Sequence, residues 1–167
     1  MASTEPNWRE HGIRIVRSGE LDTNTPQTPG MTRAAAITHA SAGAKKLWAG
    51  TVVVQPAART GAHHHGELET VLYIVKGRAR FRWGDNLEFV EEAGPGDFIY
   101  VPPYVPHQEM NARPDEPVEA VDRQPTPSDA GGDDDRVPME ELAIVEPDHS
   151  CLGVDADDLP RDEDLGA

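Results

Sequence analysis

Short runs rich in valine, isoleucine, threonine and aromatic residues recur through the first two-thirds of the chain, separated by clusters of glycine, proline, asparagine and aspartate. No stretch of helical length carries an apolar stripe of helical period, although residues 32–44 are alanine-rich enough to leave a helix open there. Many short strands at a spacing of about ten residues predict an all-β sandwich or barrel. The strand-like runs are residues 12–17, 32–38, 47–55, 68–76, 78–83, 87–91, 97–102 and 108–112.

Two turns are expected to join antiparallel neighbours, one at residues 76–77 and one at residues 83–86. The run 78–83 alternates strictly, with three arginines on one face and alanine, phenylalanine and tryptophan on the other. The arginine row could grip an anionic ligand. A solvated face paired with Glu88 or Glu91 is the favoured interpretation.

Charge divides the chain in two. Residues 1–111 hold 11 Lys/Arg and 12 Asp/Glu, whereas residues 112–167 hold 4 arginines and 18 Asp/Glu and no aromatic residue. Such a composition buries little apolar surface and is typical of disorder. We therefore predict a folded all-β body over residues 12–121 and a mostly disordered acidic tail over 122–167, in which residues 139–145 could add a strand.

The composition also excludes several classes of function. An acidic chain without a basic stripe is a poor binder of nucleic acid, because neutralising phosphates supplies most of that affinity. The apolar runs are too short to span a membrane, and the N-terminus lacks the apolar core of a secretory signal. One cysteine, Cys151, cannot form an internal disulfide. A cytoplasmic location is expected.

The most informative stretch holds three consecutive histidines, His63, His64 and His65, followed by Glu69 and, much later, His107. On an extended chain alternate residues share a face, so His63 and His65 point the same way and His64 points away. Imidazole and carboxylate groups together suit a divalent transition metal. Taken alone, the tract is equally open to being a solvent-exposed loop.

Two longer patterns contain these residues. Residues 61–77 carry a glycine, His-x-His, three residues, a glutamate and a closing glycine, and residues 96–111 carry a glycine, five residues, a proline, and then a histidine three residues before an asparagine. Together they resemble the two motifs of the cupin family, and more narrowly a group of small single-domain bacterial cupins. The resemblance implies a double-stranded β-helix, or jelly-roll barrel.

Carried over position by position, the resemblance makes His63, His65, Glu69 and His107 the ligands of one divalent metal ion, which would be Fe, Mn, Ni, Co or Zn. A shift of one residue in the strand would exchange His64 into the set. Three imidazoles and one carboxylate leave a net charge near +1, and about two positions of a six-coordinate ion stay open for water, substrate or dioxygen.

Several other residues are candidates for the barrel interior. Glu109 shares the strand parity of His107 and is a candidate for a general base, although a surface position or a supporting role beside the metal is favoured. The candidates for the pocket wall are Tyr73, Phe81, Phe98, Tyr100, Met110 and Asn111.

The barrel's closing strand is expected to be cut short after Val121, which leaves an open edge. Either residues 142–145 return to fill that edge, or the tail is an unrelated extension. Similar cupins commonly pair through β-strands, so the resemblance and the open edge together imply a homodimer.

The function expected is that of a metalloenzyme of dioxygenase, isomerase or lyase type acting on a small anionic or sugar-like molecule. The alternative is a non-catalytic cupin that binds a small molecule and reports its presence.

Overall fold

The computed structural model describes residues 12–125 and 140–141. A 3-10 helix covers Ser18–Glu20 and a one-turn helix, α1, covers His39–Ala42. The strands within these residues are β1 (Met31–Ile37), β2 (Trp48–Val54), β3 (His63–His64), β4 (Thr70–Lys76), β5 (Ala79–Trp83), β6 (Phe89–Ala93), β7 (Phe98–Val101), β8 (His107–Asn111), β9 (Val118–Gln124) and β10 (Glu140–Glu141).

Two antiparallel five-stranded sheets form the fold, in the orders β1-β2-β9-β4-β7 and β10-β3-β8-β5-β6. Neighbours in a sheet are mostly distant in sequence, as in a jelly roll. The hydrophobic core draws on both sheets, with Val52, Leu72 and Ile74 from the first and Ala79 and Phe81 from the second. The predicted all-β jelly roll is therefore confirmed.

The inner faces change character along the strands. At one end of β9 the buried side chains are Val118 and Ala120, and at the other end they are Asp122 and Gln124. Strand β4 shows the same change, from Ile74 to Thr70 at its first residue. The barrel consequently has an apolar end, which forms the hydrophobic core, and a polar end, where buried polar side chains can bind a ligand.

Strand β9 is the central strand of its sheet and pairs with β2 on one side and β4 on the other. Its seven residues run through Gln124, so the prediction of a strand cut short after Val121 is wrong. Alternate burial of Val118, Ala120, Asp122 and Gln124 explains the difference, because polar residues here continue the inward face of a strand.

The turn at residues 76–77 does not make a hairpin, because β4 and β5 belong to different sheets. Gly77 is where the chain passes between sheets, with a left-handed φ of 81°. A side chain there would meet the carbonyl oxygen of Pro117 and lie 2.9 Å from Val118 Cα. Glycine is required at this crossing.

The second predicted turn does join paired strands, since Trp83 of β5 lies opposite Phe89 of β6. The arginine row on β5 is partly exposed. Arg80 and Arg78 pair with Glu92 rather than with Glu88 or Glu91, and Arg82 donates to the carbonyl of Leu87.

The remaining predictions for the ends of the body have mixed outcomes. Residues 12–17 form no strand, and Ile13 and Ile15 are exposed. The alanine-rich stretch 32–44 is divided between β1 and α1. Most of the predicted acidic tail, including residues 142–145, lies outside the described residues. No helix among those described is long and apolar enough to cross a membrane.

Candidate metal centre

Three of the predicted ligands meet at the polar end of the barrel. His63 lies in β3 and pairs directly with His107, the first residue of β8. His65 follows two residues after His63 and is buried with it, as strand alternation predicts. One side-chain nitrogen from each of His63, His65 and His107 lies within 4.8 Å of those of the other two.

Hydrogen bonds fix which nitrogen of each ring faces the interior. The Nδ1 of His63 lies 3.0 Å from the carbonyl oxygen of Gly61, and the Nδ1 of His107 lies 2.9 Å from that of Val105. A carbonyl only accepts, so Nδ1 carries the proton in both rings and Nε2 presents a lone pair. The Nδ1 of His65 is 2.6 Å from the hydroxyl oxygen of Thr70.

All three Nε2 atoms are buried and lack a hydrogen-bond partner among the residues described. Leaving a buried polar atom unsatisfied costs about 1–3 kcal/mol, so a cluster of three calls for an occupant. Imidazole Nε2 lone pairs that converge in this way are the usual donors for divalent Zn, Fe, Ni, Co or Cu. The residues therefore fit a divalent transition metal.

Burial keeps the rings of His63 and His65 neutral, which is the form that binds metal. Desolvation lowers the pKa of His63, against an opposing pull from Glu109. Desolvation, together with the neighbouring His107 and His63, lowers the pKa of His65 to about 3. Protons therefore compete weakly for these two rings near neutral pH.

Glu69, the fourth ligand implied by the family resemblance, lies outside the cluster. Its side chain is exposed and accepts a hydrogen bond of 2.7 Å from the Tyr100 hydroxyl. The cause is the turn after His65, where Gly66 has a φ of 58°. This turn buries Leu68 and Thr70 and points Glu69 outward. The expectation that Glu69 joins the histidines is not met.

His64 also lies outside the cluster, in agreement with the strand parity. Its side chain is half-buried, its Nδ1 accepts a hydrogen bond from the backbone of Gly66, and its ring lies 6.0 Å from that of Tyr104.

A carboxylate close to the histidines is that of Glu109 in β8. It is buried, and its Oε1 lies 3.9 Å from the Nε2 of His107. The backbone of Glu109 is tied to Thr60, whose hydroxyl accepts from its N–H and whose N–H donates to its carbonyl. These bonds hold Glu109 with its side chain on the inner face.

A second set of buried polar side chains was not predicted from the sequence, namely Asp122 and Gln124 of β9, with Arg33 of β1 acting on Asp122. Asp122 is 4% exposed, and burial followed by the charge of Glu109 raises its pKa to about 7, partly offset by Arg33. Gln124 is 2% exposed and donates from Nε2 to the carboxylate of Asp122. The two-residue alternation through 118–124 is the signal that could have placed both inside.

A cavity of about 510 Å³ opens between β5–β6 and β7 and reaches His107. Of the predicted wall residues, Phe81, Phe98 and Tyr100 line it. Tyr73 packs outside against Phe98, with ring centroids 4.7 Å apart. Met110 has the opposite parity to His107.

Asn111 has a structural role. Its side chain is buried and donates to the carbonyls of Val54 and Glu116.

Residues 50–122 match the family model of the cupin domain. No curated protein matches the sequence.

Solved structures with similar folds include the polyketide cyclase RemF from Streptomyces resistomycificus, at a TM-score of 0.63 and 21% identity, covering 80% of this chain and 88% of that one. KdgF from Halomonas sp. has a TM-score of 0.54 and 18% identity, covering 67% and 94%. A variant of Bacillus subtilis oxalate decarboxylase OxdC has a TM-score of 0.55 and 21% identity, covering 71% of this chain but 30% of the decarboxylase. The chain therefore has the cupin fold, and residues 50–122 are its match to the cupin domain.

Proposed function

We propose that this protein is a metalloenzyme that binds one divalent transition metal through His63, His65 and His107 and acts on a small anionic molecule. The observation that carries the proposal is the convergence of three buried Nε2 atoms without partners. A bound ion would supply Lewis-acid polarisation or, as Fe(II), dioxygen chemistry. Three neutral imidazoles leave the ion's full positive charge and about half of a six-coordinate shell for an anionic ligand.

We assign the proton-handling role to Glu109. Its Oε1 is close to His107 but outside the group of converging ligand atoms, so its carboxylate is available to take a proton from a substrate. The charge of Arg33 acts on His63 and on Asp122 in the same interior. This arrangement favours isomerase or lyase chemistry, in which a base moves a proton next to a polarised carbonyl. RemF and OxdC are named as enzymes, which supports catalysis on this fold.

The first experiment measures metal per chain by elemental mass spectrometry on untagged protein and variants. We expect about one ion per chain in the wild type and at least a tenfold loss in His63→Ala and His107→Ala. The matched controls, His64→Ala and Glu69→Gln, should keep the ion, since neither side chain reaches the cluster. Stoichiometric metal in His107→Ala would contradict the site.

The second experiment tests Glu109 with hydroxypyruvate as a probe in D₂O. Metal-loaded wild type should speed the exchange of the carbon-bound hydrogens next to the carbonyl above the protein-free rate, as followed by NMR. Glu109→Gln should keep its metal and lose this exchange by about a hundredfold. Equal exchange in the variant would remove Glu109 from the proposal.

A homodimer belongs to the same proposal. The outer face of the β1-β2-β9-β4-β7 sheet carries exposed Tyr73, Val75, Phe98, Tyr100 and Val121. The strand registers place Val121 beside Tyr73 and Tyr73 beside Phe98, so the patch is continuous. We propose that a second copy covers this apolar patch. The cytoplasmic location stays a prediction.

A further inference from the structure

The inner face of β9 presents hydrogen-bond acceptors to the polar end of the barrel. Gln124 Oε1 is buried and has no hydrogen-bond partner among the residues described, while its Nε2 is 3.2 Å from one oxygen of Asp122 and 3.4 Å from the other. Because Nε2 is committed to the carboxylate, Oε1 is left to accept from something else. Such an acceptor in a native interior normally meets a water or a ligand hydroxyl.

These acceptors lie beside the histidine cluster. Leu72 pairs with Asp122 and Val71 with Arg123, so the same antiparallel register brings Thr70 beside Gln124. Thr70 is the residue that contacts the Nδ1 of His65. Asp122 is also close enough to Glu109 for that charge to affect it. One small molecule could therefore span from the histidines to Asp122 and Gln124.

The opposite neighbour of β9 adds an aromatic wall. Gly50 lies opposite Asp122 and Trp48 lies opposite Gln124. A Cβ on Gly50 would lie 2.7 Å from Cη2 of Trp48, so the indole lies against the glycine backbone next to the acceptors. Acceptors beside an aromatic ring suit a ligand that carries both hydroxyls and a carbon skeleton.

We propose that Asp122 and Gln124 form a hydroxyl-accepting subsite of the metal site, and that the substrate is a polyhydroxylated carboxylate. Its carboxylate and adjacent hydroxyl face the histidine cluster, and its distal hydroxyls donate to Gln124 Oε1 and to Asp122. This inference rests on the proposed function, because it assumes a metal at the histidines.

The test uses two probes that differ only in the feature in question. D-Gluconate and α-hydroxyhexanoate share chain length, carboxylate and α-hydroxyl, but α-hydroxyhexanoate lacks the distal hydroxyls. Binding to the full-length cobalt-loaded protein is followed by the visible absorption of Co²⁺. Wild type should bind gluconate at least about tenfold more tightly than α-hydroxyhexanoate.

Asp122→Leu and Gln124→Met, each of which removes an acceptor, should bring this ratio close to one, with cobalt content and α-hydroxyhexanoate affinity unchanged within about twofold. The matched control is Gln108→Met. Gln108 is equally buried and also has an unpartnered Oε1, but it has the opposite parity on β8 and donates to the carbonyl of Thr60. Its variant should keep the gluconate preference.

Each outcome has a distinct meaning. If cobalt-loaded wild type binds gluconate no more tightly than α-hydroxyhexanoate, the subsite is overturned, whether or not a variant folds. The subsite is also overturned if Gln124→Met keeps the preference for gluconate. A water then satisfies Gln124. Wild type that binds no cobalt overturns the proposed function, and the subsite with it.

Discussion

The backbone carbonyls of Gly61 and Val105 determine which nitrogen of His63 and His107 faces the barrel interior. Each carbonyl comes from two residues before its histidine, so the segment that leads into each strand supplies the contact that orients the ring. This explains how two short segments present their lone pairs inward before any ligand arrives. Such preorganisation lowers the reorganisation needed for metal binding.

We predict an unusual pH dependence of stability from Asp122 in metal-free protein. Burial raises the pKa of Asp122 to about 7, so the folded state holds a proton that the unfolded chain loses near its ordinary value. Stability from this group is therefore present at low pH and is lost as pH rises from about 4 to about 7, by up to about 1.4 kcal/mol per pH unit. Asp122→Asn removes this loss.

Urea denaturation of metal-free protein at about pH 4.5 and 7.5 measures the effect. The free energy of unfolding of Asp122→Asn, relative to wild type, should increase between the two. Asp115→Asn is the control, because Asp115 is exposed and the Arg113 guanidinium lowers its pKa. A relative stability of Asp122→Asn that falls with pH would show that Asp122 is ionised in the folded state.

Among the elements, the crossing from β4 to β5 is the most constrained, and it gives a second prediction. Gly77→Ala places a methyl group against Pro117 and Val118, at the start of the central strand β9. Gly66 also has positive φ but nothing within 4 Å of an added Cβ. Both substitutions place alanine in the left-handed conformation, which costs about 1–2 kcal/mol of stability. Gly77→Ala should lower the free energy of unfolding by about 1–3 kcal/mol more, because its methyl group overlaps neighbouring atoms.

Chemical denaturation of the two variants against wild type checks this difference. Gly66→Ala serves as the matched control for backbone strain alone. Equal losses would mean that β9 shifts freely to admit the methyl group.

The strands themselves were largely predictable, since a strand is a local pattern of alternation. Their pairing was not, because the turn at residues 76–77 has the composition of a hairpin and only the distant strand β9 decides that β4 and β5 separate. Residues 122–124 were assigned to the tail on composition. A central strand with two neighbours overrides that signal.

The part of the site that could be predicted is the part that depends on the alternation of side chains along a strand. Alternation places His63 and His65 together and leaves out His64. Glu69 was misplaced because the left-handed turn at Gly66 sets which residue begins the next strand, and a spacing cannot reveal a φ angle. Asp122 and Gln124 were missed because they meet the histidines only after the sheets close.

For the whole molecule we predict dimerisation through the apolar patch. Tyr73→Glu places a charge at the centre of this patch and should raise the dissociation constant of the dimer at least about tenfold. Phe89→Glu is the control, since Phe89 is also an exposed aromatic residue but lies on the other sheet and stacks on Trp83. Light scattering after size-exclusion chromatography measures the dimer fraction of both variants. A dissociation constant of Tyr73→Glu equal to that of wild type would place the interface elsewhere.

The histidines come from two segments that are adjacent only in the folded chain, at residues 63–65 and at residue 107. An ion held as proposed binds the native state more tightly than the unfolded chain, because only folding brings His107 beside His63 and His65. A free concentration a hundredfold above its dissociation constant then adds up to about 2.7 kcal/mol to stability. Copies without metal unfold more often and are the ones that proteases degrade. The supply of metal then governs the lifetime of the protein as well as its activity, so that starvation for the ion reduces its abundance.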